Sequence, residues 1–274
     1  MEGQTSHSLS HSLTNMLQDV KPPEMCEFSM QCIYRVPETL RETNPKAYTP
    51  RIVSIGPFHK ERDAGKEDSI FESMEELKVN YLKAFLNRSQ VPVGTFVDTL
   101  QALENDIRSC YAVRIKYNSD DFLKMILIDA CFIIEFFFRF NAYRDWHTKD
   151  PLILKEWMLM QIGYDLILLE NQIPFFVLEE LYNLAGMNLE SSFLWISFRY
   201  LKNFAGLGYV ARYLTKSPKH FTDLLRTCLI SSSTSYDHLP REEEEHIGII
   251  NHVYSASQLW EAGLKFKAVS PDND

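Results

Sequence analysis

The sequence predicts a mainly α-helical globular domain with a small β element near residues 33–60. Three observations carry this. Apolar residues recur at three- and four-residue spacing through most of the chain, which is the pattern of amphipathic helices. Hydrophobic residues make up 45% of the 274, enough to bury a core. Glycine is scarce, at 10 residues, against a usual share of ~7%, which disfavours collagen, turn-rich β sandwiches and phosphate-cradling loops.

Taken in order, residues 1–24 are rich in Ser, His, Thr and Gln and end near Pro22-Pro23. They read as a disordered leader, without the apolar stretch of a signal peptide. Residues 25–267 read as the helical domain and 268–274 as a tail. Pro37, Pro45, Pro50 and Pro57 exclude a long helix across 31–60. Within it, the β-branched run Arg51–Ile55, closed by Gly56-Pro57, reads as one short strand and a turn.

Helical spacing begins near residue 68. Ile70, Phe71, Met74, Leu77, Tyr81, Leu82 and Phe85 form one stripe over 68–88. Phe96, Leu100, Leu103, Ile107 and Tyr111 form another over 95–115. Residues 120–141 are apolar on nearly every face and predict the central helix. Asp150-Pro151 reads as an N-cap with proline at the first helical position, opening a helix through Trp157, Ile162, Leu166 and Leu169. Pro174 opens the next, through Leu178 and Leu181 to Gly186. Further helices are expected around 191–204, 218–230 and 243–262.

The most apolar stretch, Phe122–Phe140, carries Lys124, Asp129, Glu135 and Arg139. Each would cost about 2.5–3.5 kcal/mol at a bilayer centre, so the stretch is not a lipid-facing span. Five cysteines without a Cys-x-x-Cys pair read as free thiols in a reducing compartment. The net charge of −9 disfavours a general nucleic-acid binder. It is concentrated in residues 118–190, which hold twelve acids against five bases.

The sequence contains no HExxH, GxSxG, Walker or GxGxxG motif. No catalytic, cofactor-binding or metal-ligating residue is assigned, and no cofactor is expected. The chemistry-bearing residues are carboxylates in apolar settings: Asp129, Glu135, Asp165 and Glu170. A buried carboxylate must be paired, hydrogen-bonded or protonated. Two readings follow. Facing helices could bring the four together as acid/base groups or metal ligands. Alternatively, each could bond arginines and free backbone groups as a structural polar motif. The second is favoured, because Glu-x-x-His is missing and Glu135 has Arg139 four residues on. Glu170-Asn171-Gln172-Ile173-Pro174 completes that motif. Pro174 ends one helix and starts the next, leaving carbonyls that the Asn171 and Gln172 amides can satisfy. The Glu170 carboxylate would accept from N–H groups or an arginine. Phe136-Phe137-Phe138 cannot all enter one core from one helix. At least one ring must meet another element or a partner.

Several stretches resemble, in order and spacing, the plant family known as domain of unknown function 247. They include Ile33-Tyr34-Arg35-Val36-Pro37, Val53-Ser54-Ile55-Gly56-Pro57-Phe58-His59 and Met74-Glu75-Glu76-Leu77-Lys78. Further on come Ile128-Asp129-Ala130-Cys131, Leu169-Glu170-Asn171-Gln172-Ile173-Pro174-Phe175 and Ala262-Gly263-Leu264-Lys265-Phe266-Lys267. The resemblance implies a mostly helical plant protein without established enzymatic activity. Members typically run longer and end in a hydrophobic segment taken as a membrane anchor, and some are tied to pollen–stigma self-recognition. The expectation is therefore a C-terminally truncated member, soluble and cytoplasmic as given, with the plasma membrane as the site of full-length members. Its expected role is a non-enzymatic protein-recognition module in signalling with an unidentified protein partner. The rival readings are a carboxylate-based hydrolase or metal enzyme, and an inactive fragment of a longer anchored member.

Overall fold

The fold is described from a computed structural model, over residues 11–12, 14–15, 30–63, 69–153, 155–186, 191–205 and 217–234. Among the described residues from 30 onward, ten helices follow one another: α1 (Glu38–Thr43), α2 (Pro57–Asp63), α3 (Ser69–Ser89), α4 (Val93–Ser109), α5 (Ser119–Asn141), α6 (Tyr143–Trp146), α7 (Glu156–Leu166), α8 (Phe175–Leu184), α9 (Phe193–Ala205) and α10 (Phe221–Thr234). A 3₁₀ turn spans Pro45–Tyr48. Of the leader expected at 1–24, only 11–12 and 14–15 are described, and these are helical and exposed. The helix expected at 243–262 and the tail lie outside the described residues.

Helix α5 is the hub, packing on α3, α4, α8 and α9. Its N-terminus is capped by Asn118, whose Oδ1 accepts the Asp121 N–H at 2.8 Å, and Asp120 and Asp121 sit in the positive first turn. Its apolar circumference explains its central place: from Phe122 to Phe137 every residue but Lys124 and Ile128 is buried. Phe136 and Phe137 enter an aromatic cluster. Phe136 meets Tyr200 edge-on at 5.2 Å, and Phe137 meets Phe193 at 6.1 Å and Phe221 at 5.6 Å. Phe138 is half-buried and covered by the Arg88 guanidinium, 3.9 Å from its ring centroid. The three rings of 136–138 thus find two different environments within the fold.

Three local expectations change. Arg51–Ile55 is not a strand: residues 51–52 bend and 53–55 take no regular structure. Among the described residues the β element is one parallel bridge, Ile33 to Tyr111. The physical reason is that side chains, not a neighbouring strand, take the backbone N–H groups of 51–56. The stripe over 95–115 stops being helical at Ser109, because Tyr111 is committed to that bridge. Asp150 does not open a long helix. Its Oδ1 accepts from Leu152 N at 2.9 Å and Ile153 N at 3.2 Å, which closes a turn, and α7 starts at Glu156. Leu169 lies beyond α7, in the corner that leads to α8.

Candidate functional site

The buried polar residues form two groups, one around the corner at 165–174 and one across α3, α5 and the 150 turn. The corner group begins with Asp165 at the end of α7. Its carboxylate accepts from Arg51 N at 3.0 Å, Ile52 N at 2.7 Å and Val53 N at 3.0 Å, and from the Gln161 amide at 3.0 Å. Burial raises its pKa, against the opposing pull of those backbone N–H groups. Asn171 extends the clamp. Its Oδ1 accepts Ile55 N at 2.6 Å, and its amide donates to Val53 O and Asp165 O, both at 2.9 Å. Asp129 on α5 takes the next N–H, from Gly56 at 2.9 Å. Five N–H groups of one segment are thus satisfied by three side chains drawn from far along the chain.

Gly56 is required at this approach. It sits at φ +71°, and a Cβ there would lie 2.5 Å from Gln172 O. Gln172 in turn closes the helix break. Its amide donates to Leu166 O at 2.7 Å and Leu168 O at 2.6 Å, and its Oε1 accepts Phe221 N at the start of α10, at 3.0 Å. The Tyr111 hydroxyl donates to Gln172 O at 3.1 Å. Pro174 caps α8 at extended angles, which turns the chain out of the corner. Glu170 accepts Val36 N at 2.6 Å and pairs with Arg41 at 2.5 Å, so it holds the first part of the N-terminal segment. His59 is buried beside it, its Nε2 3.8 Å from the Glu170 carboxylate.

Lys78 is fully buried on α3. Its ammonium donates to Asp129 at 2.8 Å, to Glu75 at 2.5 Å and to Ser54 O. Its spacing from Met74, Tyr81 and Phe85 places it on the buried stripe of that helix, a signal the sequence carries. Asp129, three turns into an apolar helix, was the clue that a cation must reach it.

The second group centres on Glu135. It receives a two-pronged contact from Arg88, at 3.0 and 2.9 Å, and a further bond from Arg139 at 2.7 Å. Arg139 continues to Asp150 at 2.7 Å, and Asp150 accepts the Tyr81 hydroxyl at 2.7 Å. Burial, together with the Asp150 charge, raises the Tyr81 pKa and keeps its hydroxyl protonated as a donor. The Arg139 guanidinium lies 4.3 Å from both the Tyr81 and Trp146 ring centroids.

The four carboxylates therefore do not meet. Asp129 is held by Lys78 and Gly56, Glu135 by arginines, Asp165 by backbone N–H groups, and Glu170 by Val36 and Arg41. Among the described residues, no three His, Cys, Asp or Glu side chains could hold a metal ion. What the arrangement does is tie residues 33–56 to α3, α5, α7 and the corner at 170–172.

That ordered set of motifs has counterparts. The family described as plant protein of unknown function, DUF247, matches residues 33–274. The chain belongs to this plant family. The UPF0481 protein At3g47200 of Arabidopsis thaliana is 30% identical over 258 residues, covering 86% of this chain and 52% of that protein. The putative UPF0481 protein At3g02645, also from Arabidopsis thaliana, is 32% identical over 149 residues, covering 54% of this chain and 26% of that protein. This DUF247 chain thus spans about half the length of the first relative and about a quarter of the second. No solved structure matches it. Among its described residues, no helix is long and apolar enough to cross a membrane.

Proposed function

We propose that this DUF247 chain is a non-catalytic protein-recognition domain in plant signalling. The single observation that carries the reading is a separation of chemistry. The buried carboxylates are engaged by partners inside the fold, while large aromatic side chains stand outside it. Trp157 and Tyr164, seven residues apart and so on one face of α7, are 63% and 47% exposed. Trp195 is 45% exposed on α9, the helix that packs against α7. Tryptophan and tyrosine are the residues that most often anchor protein interfaces. The signalling assignment rests on the resemblance to members tied to pollen–stigma self-recognition.

Photo-crosslinking residues placed at 157 and 164 test the reading, with Asn105 on α4 as an exposed control. The expected result is one plant protein crosslinked from both α7 positions and not from 105. The purified partner should then bind W157A/Y164A at least about tenfold more weakly, the loss of one hot-spot contact, with an unchanged melting temperature. Crosslinking that does not depend on position, or binding indifferent to the double substitution, contradicts the reading.

A further inference from the structure

Cys32 and Cys110 meet where the N-terminal segment joins the end of α4. The parallel bridge pairs Ile33 with Tyr111, through Ile33 N to Cys110 O at 2.9 Å and Ala112 N to Ile33 O at 3.0 Å. Cys32 N also donates to Cys110 O, at 2.9 Å. Each cysteine stands one residue before the bridged pair, Cys110 in helical backbone as the C-cap of α4. With that 2.9 Å bond between Cys32 N and Cys110 O, standard backbone bond lengths keep the two Cα atoms within about 7 Å, the outer reach of a disulfide. The two thiols hydrogen-bond to each other and are free.

We propose that Cys32 and Cys110 form a reversible, peroxide-driven disulfide that locks the N-terminal segment onto α4. In the first step, the Cys32 thiolate attacks a peroxide oxygen. The O–O bond breaks, and Cys32 becomes a sulfenic acid as hydroxide leaves and takes up the thiol proton as water. Cys110 sulfur then attacks the sulfenic sulfur, and the S–S bond forms as a second water leaves. Two thiols and one hydrogen peroxide give one disulfide and two waters, with sulfur oxidised and peroxide reduced.

The surroundings favour Cys32 as the attacking sulfur. The hydrogen bond from Cys110 lowers its pKa, outweighing burial, and Lys219 assists while Asp223 opposes. Cys110 is held protonated, chiefly by donating that bond. By contrast, burial pushes Cys131 well up and Cys228 up to about 11, so neither competes. The locked segment is the one that carries Val36 and Arg41 to Glu170, so oxidation would add a covalent tie to the polar corner.

The test treats the folded chain with hydrogen peroxide, unfolds it in an alkylating agent, and maps peptides by mass spectrometry. The expected product is a dithiothreitol-reversible crosslink between the peptides holding residues 32 and 110. It should form on the order of tenfold faster than Cys131 is consumed, with a raised melting temperature. C32S and C110S should each abolish the crosslink, and C131S should not. The map of the unmodified chain is decisive even if a serine variant fails to fold. The proposal is overturned if both cysteines remain alkylatable after peroxide, if Cys32 pairs with another cysteine, or if it ends as sulfinic acid beside a reduced Cys110.

Discussion

The Asp165 carboxylate accepts the backbone N–H of Ile52 at 2.7 Å, joining residues 113 positions apart in the sequence. A side chain here does what a neighbouring strand would do in a sheet. The segment has its N–H groups satisfied without belonging to any ladder.

Removing that acceptor leaves the N–H groups of Arg51, Ile52 and Val53 without it. Each buried donor left unsatisfied costs about 1–3 kcal/mol. Asp165→Ala should therefore lose about 3 kcal/mol or more in urea unfolding. Asp165→Asn, which keeps one acceptor oxygen, should lose less. Because burial raises the Asp165 pKa in the fold, the native state holds its proton more tightly than the unfolded chain. The stability linked to this group therefore falls as pH rises from the ordinary carboxylate range through the raised folded value. Asp165→Asn should remove that part of the slope.

Glu170→Ala should destabilise the domain by about 3–5 kcal/mol, because it strands the buried Arg41 guanidinium. Pairing it with Arg41→Met should recover part of the loss. A double-mutant cycle measures the coupling, and a Glu170→Ala melting temperature equal to that of the parent would refute the structural role.

The glycines give an internally controlled comparison. Gly56 and Gly186 both have positive φ, +71° and +56°, but only at Gly56 does an added Cβ collide, at 2.5 Å from Gln172 O. Gly186→Ala should cost about 1–2 kcal/mol for the left-handed backbone alone. Gly56→Ala should cost clearly more, as read by thermal unfolding of the two variants side by side.

His220 links the same region to pH. Its Nε2 donates to Cys32 O at 2.9 Å and its Nδ1 accepts Asp223 N at 3.3 Å, which fixes the neutral tautomer. Burial lowers its pKa, against the Cys32 carbonyl and the Asp223 charge, while Lys219 adds to the lowering. A base with a lowered folded pKa contributes stability that is present above its unfolded value near 6.5. That contribution is lost as pH falls through the folded one. Unfolding between pH 7 and 5 should show this decline, and His220→Gln should flatten it.

The helices were legible because their periodicity is local: α3, α4, α5 and α8 fall within a few residues of their apolar stripes. The polar corner was legible for a similar reason, since Pro174 must break a helix and the adjacent amides can reach the freed carbonyls. The partners were not legible. Nothing in the sequence around Arg51–Ile55 reveals that Asp165 and Asn171 will replace a strand. The spacing of Lys78 from Met74, Tyr81 and Phe85 puts it on the buried face of α3, but does not reveal that Asp129 is its partner. Both are contacts between distant segments, and a residue read only with its neighbours shows what must be satisfied, not what will satisfy it. Asp150 shows the same limit: its capping chemistry was visible, but its commitment to Arg139 and Tyr81 was not.

Buried side chains should hold residues 51–56 as firmly as a strand would. Amide hydrogen exchange measured residue by residue in the native chain tests it most directly. The N–H groups of Ile52, Val53, Ile55 and Gly56 should exchange as slowly as those in the middle of α5. Exchange of these four at the rate of a solvent-exposed loop would contradict it.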